Sequence, residues 1–341
     1  MKRLLLWVPA AIVAVVQAAW ALRLPDRFAD LHVYRGSVLA MRHGASLYSY
    51  HAGNGDPFTY PPFAGLVLYP VSWPIDVAWL VLTSGAVAWC AVLVAPPRWA
   101  PLACVALLLS APAVRDLRFG QVSLFLALLV LLQGRGIATG MAAAVKLTPL
   151  VFVPYLWLAG QRRVALTALG TFGACTAIGW LVLPRDSVRY WFTELWHTDR
   201  IGNLASTGNQ SLYGLLLRIG LPSRAVWLAL ALVVLAVGLW RASLAARRGD
   251  PLTGLVVAGA VGVAVSPVSW THHQIWLVFA AFCLVGRARW VQAAWTAPVL
   301  VVMTLPVLAN LRAPLAVAIA CVVPFNSIRR LEHAEADRHD G

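Results

Sequence analysis

Few side chains in this chain can move a proton or hold an ion: the 341 residues include 13 Asp and Glu and 8 His. Asp30, in the stretch ADLHVYRGSVLAMR, allows two readings. A carboxylate at a helix start caps backbone N–H groups, and one beside a substrate hydroxyl takes its proton as a general base. Asp56, between Gly55 and Pro57, reads as a turn residue and is the second candidate base. Asp116 either offsets the arginines around it or faces a site, and Glu194 and Asp199 are candidates for binding hydroxyls of a ligand. Lys146 interrupts an apolar segment at Lys146-Leu147-Thr148-Pro149, where it snorkels, pairs or meets an anion. His272 and His273 are adjacent, without the i, i+4 spacing of a helical metal pair, so no metal site is expected. Gln121, Asn209 and Gln210 stand at the ends of apolar runs and either satisfy backbone groups there or bind a ligand. The sequence holds no Asp-x-Asp pair, no P-loop and no Gly-x-Gly-x-x-Gly, which argues against a bound nucleotide or other cofactor.

The elements that position these residues must lie in lipid. Hydrophobic residues make up 60% of the chain and charged ones 12%, with a mean hydropathy of +0.75. A soluble chain carries about a quarter charged residues, so this one could not cover a water-exposed surface. The net charge of +14 comes from basic residues placed singly or in pairs between apolar runs. That pattern is a topology signal, and no nucleic-acid partner is expected. The five cysteines lie in apolar runs and read as small fillers.

An apolar run of about 20 residues crosses a bilayer. Spans are expected near 4–22, 75–95, 99–114, 120–134, 164–183, 223–241, 252–268, 273–287, 290–309 and 313–328, the first as an uncleaved helix rather than a signal peptide. A lysine in mid-bilayer costs about 2.5–3.5 kcal/mol, and proline breaks helical pairing. Two short half-helices meeting at Lys146-Leu147-Thr148-Pro149 relieve both problems. If 136–160 crosses twice, Arg98, Arg135, Arg162-Arg163, Arg247-Arg248 and Arg287 all fall on the cytoplasmic side, as short-loop arginines should. The expected architecture is thus an all-α polytopic membrane protein of about 12 (10–12) spans. It forms a single domain over 1–328, followed by a polar cytoplasmic tail at 329–341. The same topology leaves 23–74, 184–222 and the corner 266–273 outside, and with them many arginines, including Arg27, Arg35 and Arg118. Guanidinium forks match phosphate oxygens, so an anionic ligand is expected there. In the first of these stretches, Asp30, Leu31, Val33, Tyr34, Val38 and Leu39 suit an amphipathic surface helix. Phe58-Thr59-Tyr60-Pro61-Pro62 reads as extended, its aromatics either an interfacial belt or a platform for a sugar or lipid.

An ordered set of motifs carries a resemblance. Asp30…Tyr34, Gly44…Leu47-Tyr48, Phe58-Thr59-Tyr60-Pro61-Pro62, Phe119-Gly120-Gln121, Val145-Lys146-Leu147-Thr148-Pro149, Gly208-Asn209-Gln210-Ser211 and Ser266-Pro267-Val268-Ser269-Trp270-Thr271-His272-His273 together resemble glycosyltransferase family 87, over roughly residues 25–285. The resemblance implies a GT-C-type helical bundle in the plasma membrane with its site on the extracytoplasmic side. It implies a mannosyltransferase that takes its sugar from a polyprenyl phosphate and passes it to a glycolipid or glycan acceptor, inverting to an α-(1,2) linkage. In that scheme Asp30 is the base, while Lys146, His272, His273 and Arg118 face the donor phosphate. Tyr34, Tyr60, Gln121, Asn209 and Trp270 then contact sugar or acceptor. The alternatives are another lipid-linked sugar, a protein acceptor, or a lipid or glycan transporter with broken helices.

Overall fold

The computed structural model describes residues 2–53, 55–132, 134–197 and 201–328. The expected polar tail 329–341 and Asp199 lie outside the described residues. Among those residues every regular element is a helix, apart from one isolated bridge pairing His51 with Pro57. Four helical stretches are long and apolar enough to cross a membrane: Asp76–Val94, Arg162–Val182, Arg224–Arg247 and Pro306–Ile328. A fifth is added if Ala100–Leu109 and Ala111–Phe119, which meet at 65°, make one span. Their outer faces are apolar too: Val81 is 65% exposed and Leu181 81%. Such surface is tolerable only in lipid, so this is a polytopic membrane protein.

Several expected spans are shorter or broken, each at a residue that interrupts helical pairing. Span 120–134 is helical only over Ser123–Leu131, and 273–287 breaks into Ile275–Phe279 and a 3₁₀ turn ending at an extended Cys283. The bend after Leu109 comes at Ser110, extended in front of Pro112. The half-helix expectation at Lys146 matches the backbone. Helix Ile137–Val145 stops at an extended Lys146 (φ −149°, ψ 131°), and a 3₁₀ turn Thr148–Val151 leads into Phe152–Leu158.

By packing, the chain divides into two compact units, Met1–Leu150 with Leu166–Leu204, and Val151–Ala165 with Ala205 onward. In the first, Val8–Arg23 packs on Ala100–Leu109 and on Ala111–Phe119, and Asp76–Val94 packs on Ala100–Leu109 and Ser123–Leu131. In the second, Arg224–Arg247 runs along Pro251–Val265, and Arg312–Cys321 packs on both. Small residues allow the close approach: a Cβ at Gly238 would lie 2.2 Å from the Val261 side chain. Asp250 starts the second helix of that pair, its carboxylate accepting from Thr253 N at 3.0 Å. The guanidinium of Arg241, buried from solvent, donates to the carbonyls of Ile319, Ala320 and Val323, which satisfies the end of the last helix.

Candidate active site

In the first unit the site is built around helix Ala29–Arg42. Leu31, Val33, Tyr34, Ser37 and Val38 are buried, giving the amphipathic pattern expected. Asp30 does not cap this helix. The N-cap is Phe28, and no side chain bonds the cap position. Phe28 is held at φ 57°, the one non-glycine in the left-handed region among the described residues. That conformation costs about 1–2 kcal/mol. It is offset by full burial of the ring and by a 2.7 Å hydrogen bond from Phe28 N to Arg118 O. The kink leaves Asp30 in the first helical turn with its carboxylate uncommitted to the backbone ladder.

The Phe119-Gly120-Gln121 turn supplies the next wall. Gly120 ends helix Ala111–Phe119 at φ 69°, and a Cβ there would lie 2.6 Å from Leu31 Cβ. Only glycine permits both the dihedral and the contact. The turn puts the side-chain oxygen of Gln121 where two phenols reach it: Tyr34 donates at 3.0 Å and Tyr60 at 3.1 Å, and the two hydroxyls are 2.8 Å apart. The amide nitrogen of Gln121 is left on the side of Asp30, where it favours the charged form of the carboxyl. Lys146 Nζ donates to the Tyr60 hydroxyl at 3.4 Å and stands 5.0 Å from the centre of that ring. The half-helix break therefore delivers the ammonium to the phenols. Asp116, fully buried, accepts from Leu124 N at 3.2 Å and lies within electrostatic reach of Lys146 and Asp30.

Burial pushes the Asp30 carboxyl up to about 6, against the opposing pull of the Gln121 amide and the Lys146 charge. Burial also raises the Tyr34 and Tyr60 phenols, with Asp30 adding to the effect, so both stay protonated as donors.

An aromatic shell fixes this group. Phe58 packs on Tyr34, Tyr48 and Tyr60 with centroids 5.6–6.4 Å apart. Tyr48 donates to Tyr60 O at 2.8 Å and stacks on Tyr190. Pro61 is extended (φ −55°, ψ 155°), but the chain bends at Tyr60 and Pro62 already opens helix Pro62–Val67. Asp56 lies in the turn 52–56, where Ala52 N bonds its carbonyl at 3.0 Å. The aromatic shell has a support that motif reading missed. Asp186 accepts from Ser46 Oγ at 2.5 Å and from Leu47 N at 3.3 Å, and Arg189 joins Glu194 to Tyr48 O. Ser46 and Asp186 are 140 positions apart, and no local signal links them. Glu194 is thus tied to Arg189 at 2.6 Å. The Arg118 guanidinium is paired with Asp26 through both carboxylate oxygens.

The second unit brings together Asn209, Trp270, His272 and His273. Asn209 Oδ1 accepts from Ser269 N at 2.8 Å and from Ser211 N at 3.3 Å, and its amide donates to Pro267 O at 3.3 Å. Gln210 N bonds Ser269 O at 2.9 Å, while the Gln210 side chain bonds Thr207 O and Ala313 N. A Cβ at Gly214 would lie 2.6 Å from Asn209 O, so this packing requires glycine. These bonds hold the corner 266–273, where the two imidazoles stand edge to face at 4.4 Å and His273 Nδ1 accepts from Trp270 N at 3.2 Å. Among the described residues no three His, Cys, Asp or Glu side chains converge in a way that could hold a metal ion.

Comparison with known proteins adds to this geometry. The profile of glycosyltransferase family 87 matches residues 58–267. A polyprenol-phosphate-mannose-dependent alpha-(1-2)-phosphatidylinositol mannoside mannosyltransferase of Mycobacterium tuberculosis is 35% identical over 330 residues, covering 84% of this chain and 76% of the relative. Its counterpart in Mycolicibacterium smegmatis is 32% identical, covering 78% and 72%. A phosphatidylinositol pentamannoside mannosyltransferase of the same organism is 34% identical, covering 77% and 71%. No solved structure matches the chain.

Proposed function

Because the chain belongs to glycosyltransferase family 87, we propose that it transfers mannose from a polyprenyl phosphate to a phosphatidylinositol mannoside, forming an α-(1,2) linkage. The relatives named for that reaction support the donor, the acceptor class and the linkage. The observation that carries the mechanism is the buried Asp30 carboxyl within electrostatic reach of Lys146, whose ammonium reaches the Tyr60 hydroxyl, outside the long apolar helices. A carboxyl poised near 6 is ionised at neutral pH and still basic enough to take a proton in the transition state. In the step proposed, Asp30 removes the proton of an acceptor hydroxyl as its oxygen attacks the anomeric carbon. The bond from that carbon to the phosphate oxygen breaks, and polyprenyl phosphate leaves with the electron pair. The transition state has oxocarbenium character, and the charge growing on the phosphate is offset by the Lys146 ammonium. One displacement inverts a β-linked donor to an α-linked product. Tyr34 and Tyr60 donate to Gln121 Oε1 and so fix that amide beside the base, while their hydroxyl oxygens remain acceptors for sugar hydroxyls. On motif grounds His272 and His273 are assigned to phosphate and Trp270 to sugar or acceptor; Asn209, which the motif also offers for sugar or acceptor, has its side chain spent on the 266–273 corner and is assigned to holding that corner. The proposal includes about 12 crossings in a GT-C-type bundle, with segment 23–74 on the extracytoplasmic face of the plasma membrane.

The test is transfer in lipid nanodiscs from radiolabelled polyprenyl-phosphate mannose to a phosphatidylinositol mannoside. The product should yield its label to an α-(1,2)-specific mannosidase. Label arriving only from a nucleotide-linked mannose, or none with any mannoside acceptor, overturns the reading.

A further inference from the structure

Helix Ala29–Arg42 carries polar chemistry on two faces. Each residue turns the helix by about 100°, so Asp30 and Tyr34 share one stripe while Ala29, His32, Gly36 and Leu39 share the opposite one. A groove of about 600 Å³ opens over that second stripe. Tyr50 forms its floor. A Cβ at Gly36 would lie 2.1 Å from the Tyr50 ring, so the ring lies across the helix only because residue 36 is glycine.

The groove is rich in donors that the protein does not use. Arg27, exposed, makes one long contact, 3.5 Å to Leu24 O. Arg35 spends Nε on Val71 O and Nη2 on Trp73 O and Asp76. Its Nη1 has no protein acceptor among the described residues. Neither the exposed imidazole of His32 nor the Tyr50 hydroxyl bonds a protein group there. The single acid on the groove, Asp26, is already neutralised by Arg118. A concave site with surplus guanidinium and imidazole donors and a paired acid selects an anion with several acceptor oxygens.

We propose that this groove seats the phosphodiester of the lipid acceptor, with Arg27, His32 and the open edge of Arg35 as its contacts. The acceptor's sugar end passes around the start of the helix to Asp30, the second helical residue. This inference rests on the mannosyltransferase reading and deepens it by giving the acceptor a second, catalytically silent anchor.

The test compares two acceptors in nanodiscs of neutral phosphatidylcholine, with polyprenyl-phosphate mannose as donor: a phosphatidylinositol mannoside, which has the phosphodiester, and methyl α-mannoside, which does not. For the double variant Arg27→Gln/His32→Gln the ratio of the first KM to the second should rise about tenfold, the loss of charge-assisted contacts to phosphate. Arg27→Lys, which keeps the charge, should stay within a few-fold of wild type. Both positions are exposed, and thermal unfolding checks that the variants fold as wild type does. An unchanged ratio, or both KM values rising together, overturns the proposal. If the wild type glycosylates neither acceptor, the parent reading falls first and takes this inference with it.

Discussion

In the first unit polar side chains bond one another: two phenols meet on Gln121, and Lys146 meets one of the phenols beside a carboxylate. In the second unit Asn209, Gln210 and Gln274 bond mainly to backbone groups around the 266–273 corner. Side chain–side chain bonds are the rarer kind, and a ligand hydroxyl can replace either partner. A backbone group has no such freedom, because leaving it unsatisfied when buried costs about 1–3 kcal/mol. On the function proposed, the difference separates residues arranged for chemistry from residues that hold a loop in shape, although both sets look alike as isolated polar positions in apolar surroundings.

The largest effect is expected at Asp30. Asp30→Asn keeps the shape and removes the base, so transfer should fall at least about a hundredfold at an unchanged thermal midpoint. A midpoint that drops along with activity would make Asp30 a structural residue like those of the second unit. The pH profile comes next. The folded protein holds the Asp30 proton up to about 6, above its usual 3.8. The base is ionised only above that value, so kcat/KM should fall about tenfold per pH unit below 6 and level off above it. Stability carries the opposite sign. Between 3.8 and about 6 the native state binds more protons than the unfolded chain, so this group's contribution is lost as pH rises through that window. A flat kcat/KM profile from pH 5 to 8 removes Asp30 as base. Tyr60→Phe deletes the hydroxyl shared by Tyr34, Gln121 and Lys146. It should lower kcat/KM about tenfold, the worth of one or two hydrogen bonds, with little change in unfolding temperature. Asn209→Ala is expected to have the smallest effect on activity. It strips the acceptor from Ser211 N and Ser269 N and should destabilise the fold by about 2–4 kcal/mol, while activity per folded molecule changes less than about threefold. A large loss in activity at full stability would move Asn209 from scaffold to site.

How much was legible varied with the range of the interaction. The break at Lys146 was readable because a charge in an apolar run and a following proline each forbid a continuous helix, and the backbone stops there. The amphipathic stripe of residues 29–42 was readable because Leu31, Tyr34 and Val38 recur at helical spacing. Cap and base could not be told apart at Asp30, since both need a carboxylate at a helix start. The left-handed Phe28 takes the cap position itself, which removes the cap reading and leaves the base as the proposal. Several expected spans shortened because Ser110, Pro112 and the extended Cys283 end helices that hydropathy alone would carry on.

The sequence by itself determined the solvent of this protein and some of its helix ends: composition demands lipid, and the charge and proline at Lys146–Pro149 set where one helix stops. Only the tertiary structure decided which polar residues meet. Tyr34, Tyr60, Gln121 and Lys146 come from four segments up to 112 positions apart, Asp186 reaches back 140 positions to Ser46, and Arg118 turns to Asp26. Such contacts depend on chain reversals and packing that no local pattern encodes, because a side chain's partner is set by distance in space and its propensity only by its neighbours in the chain.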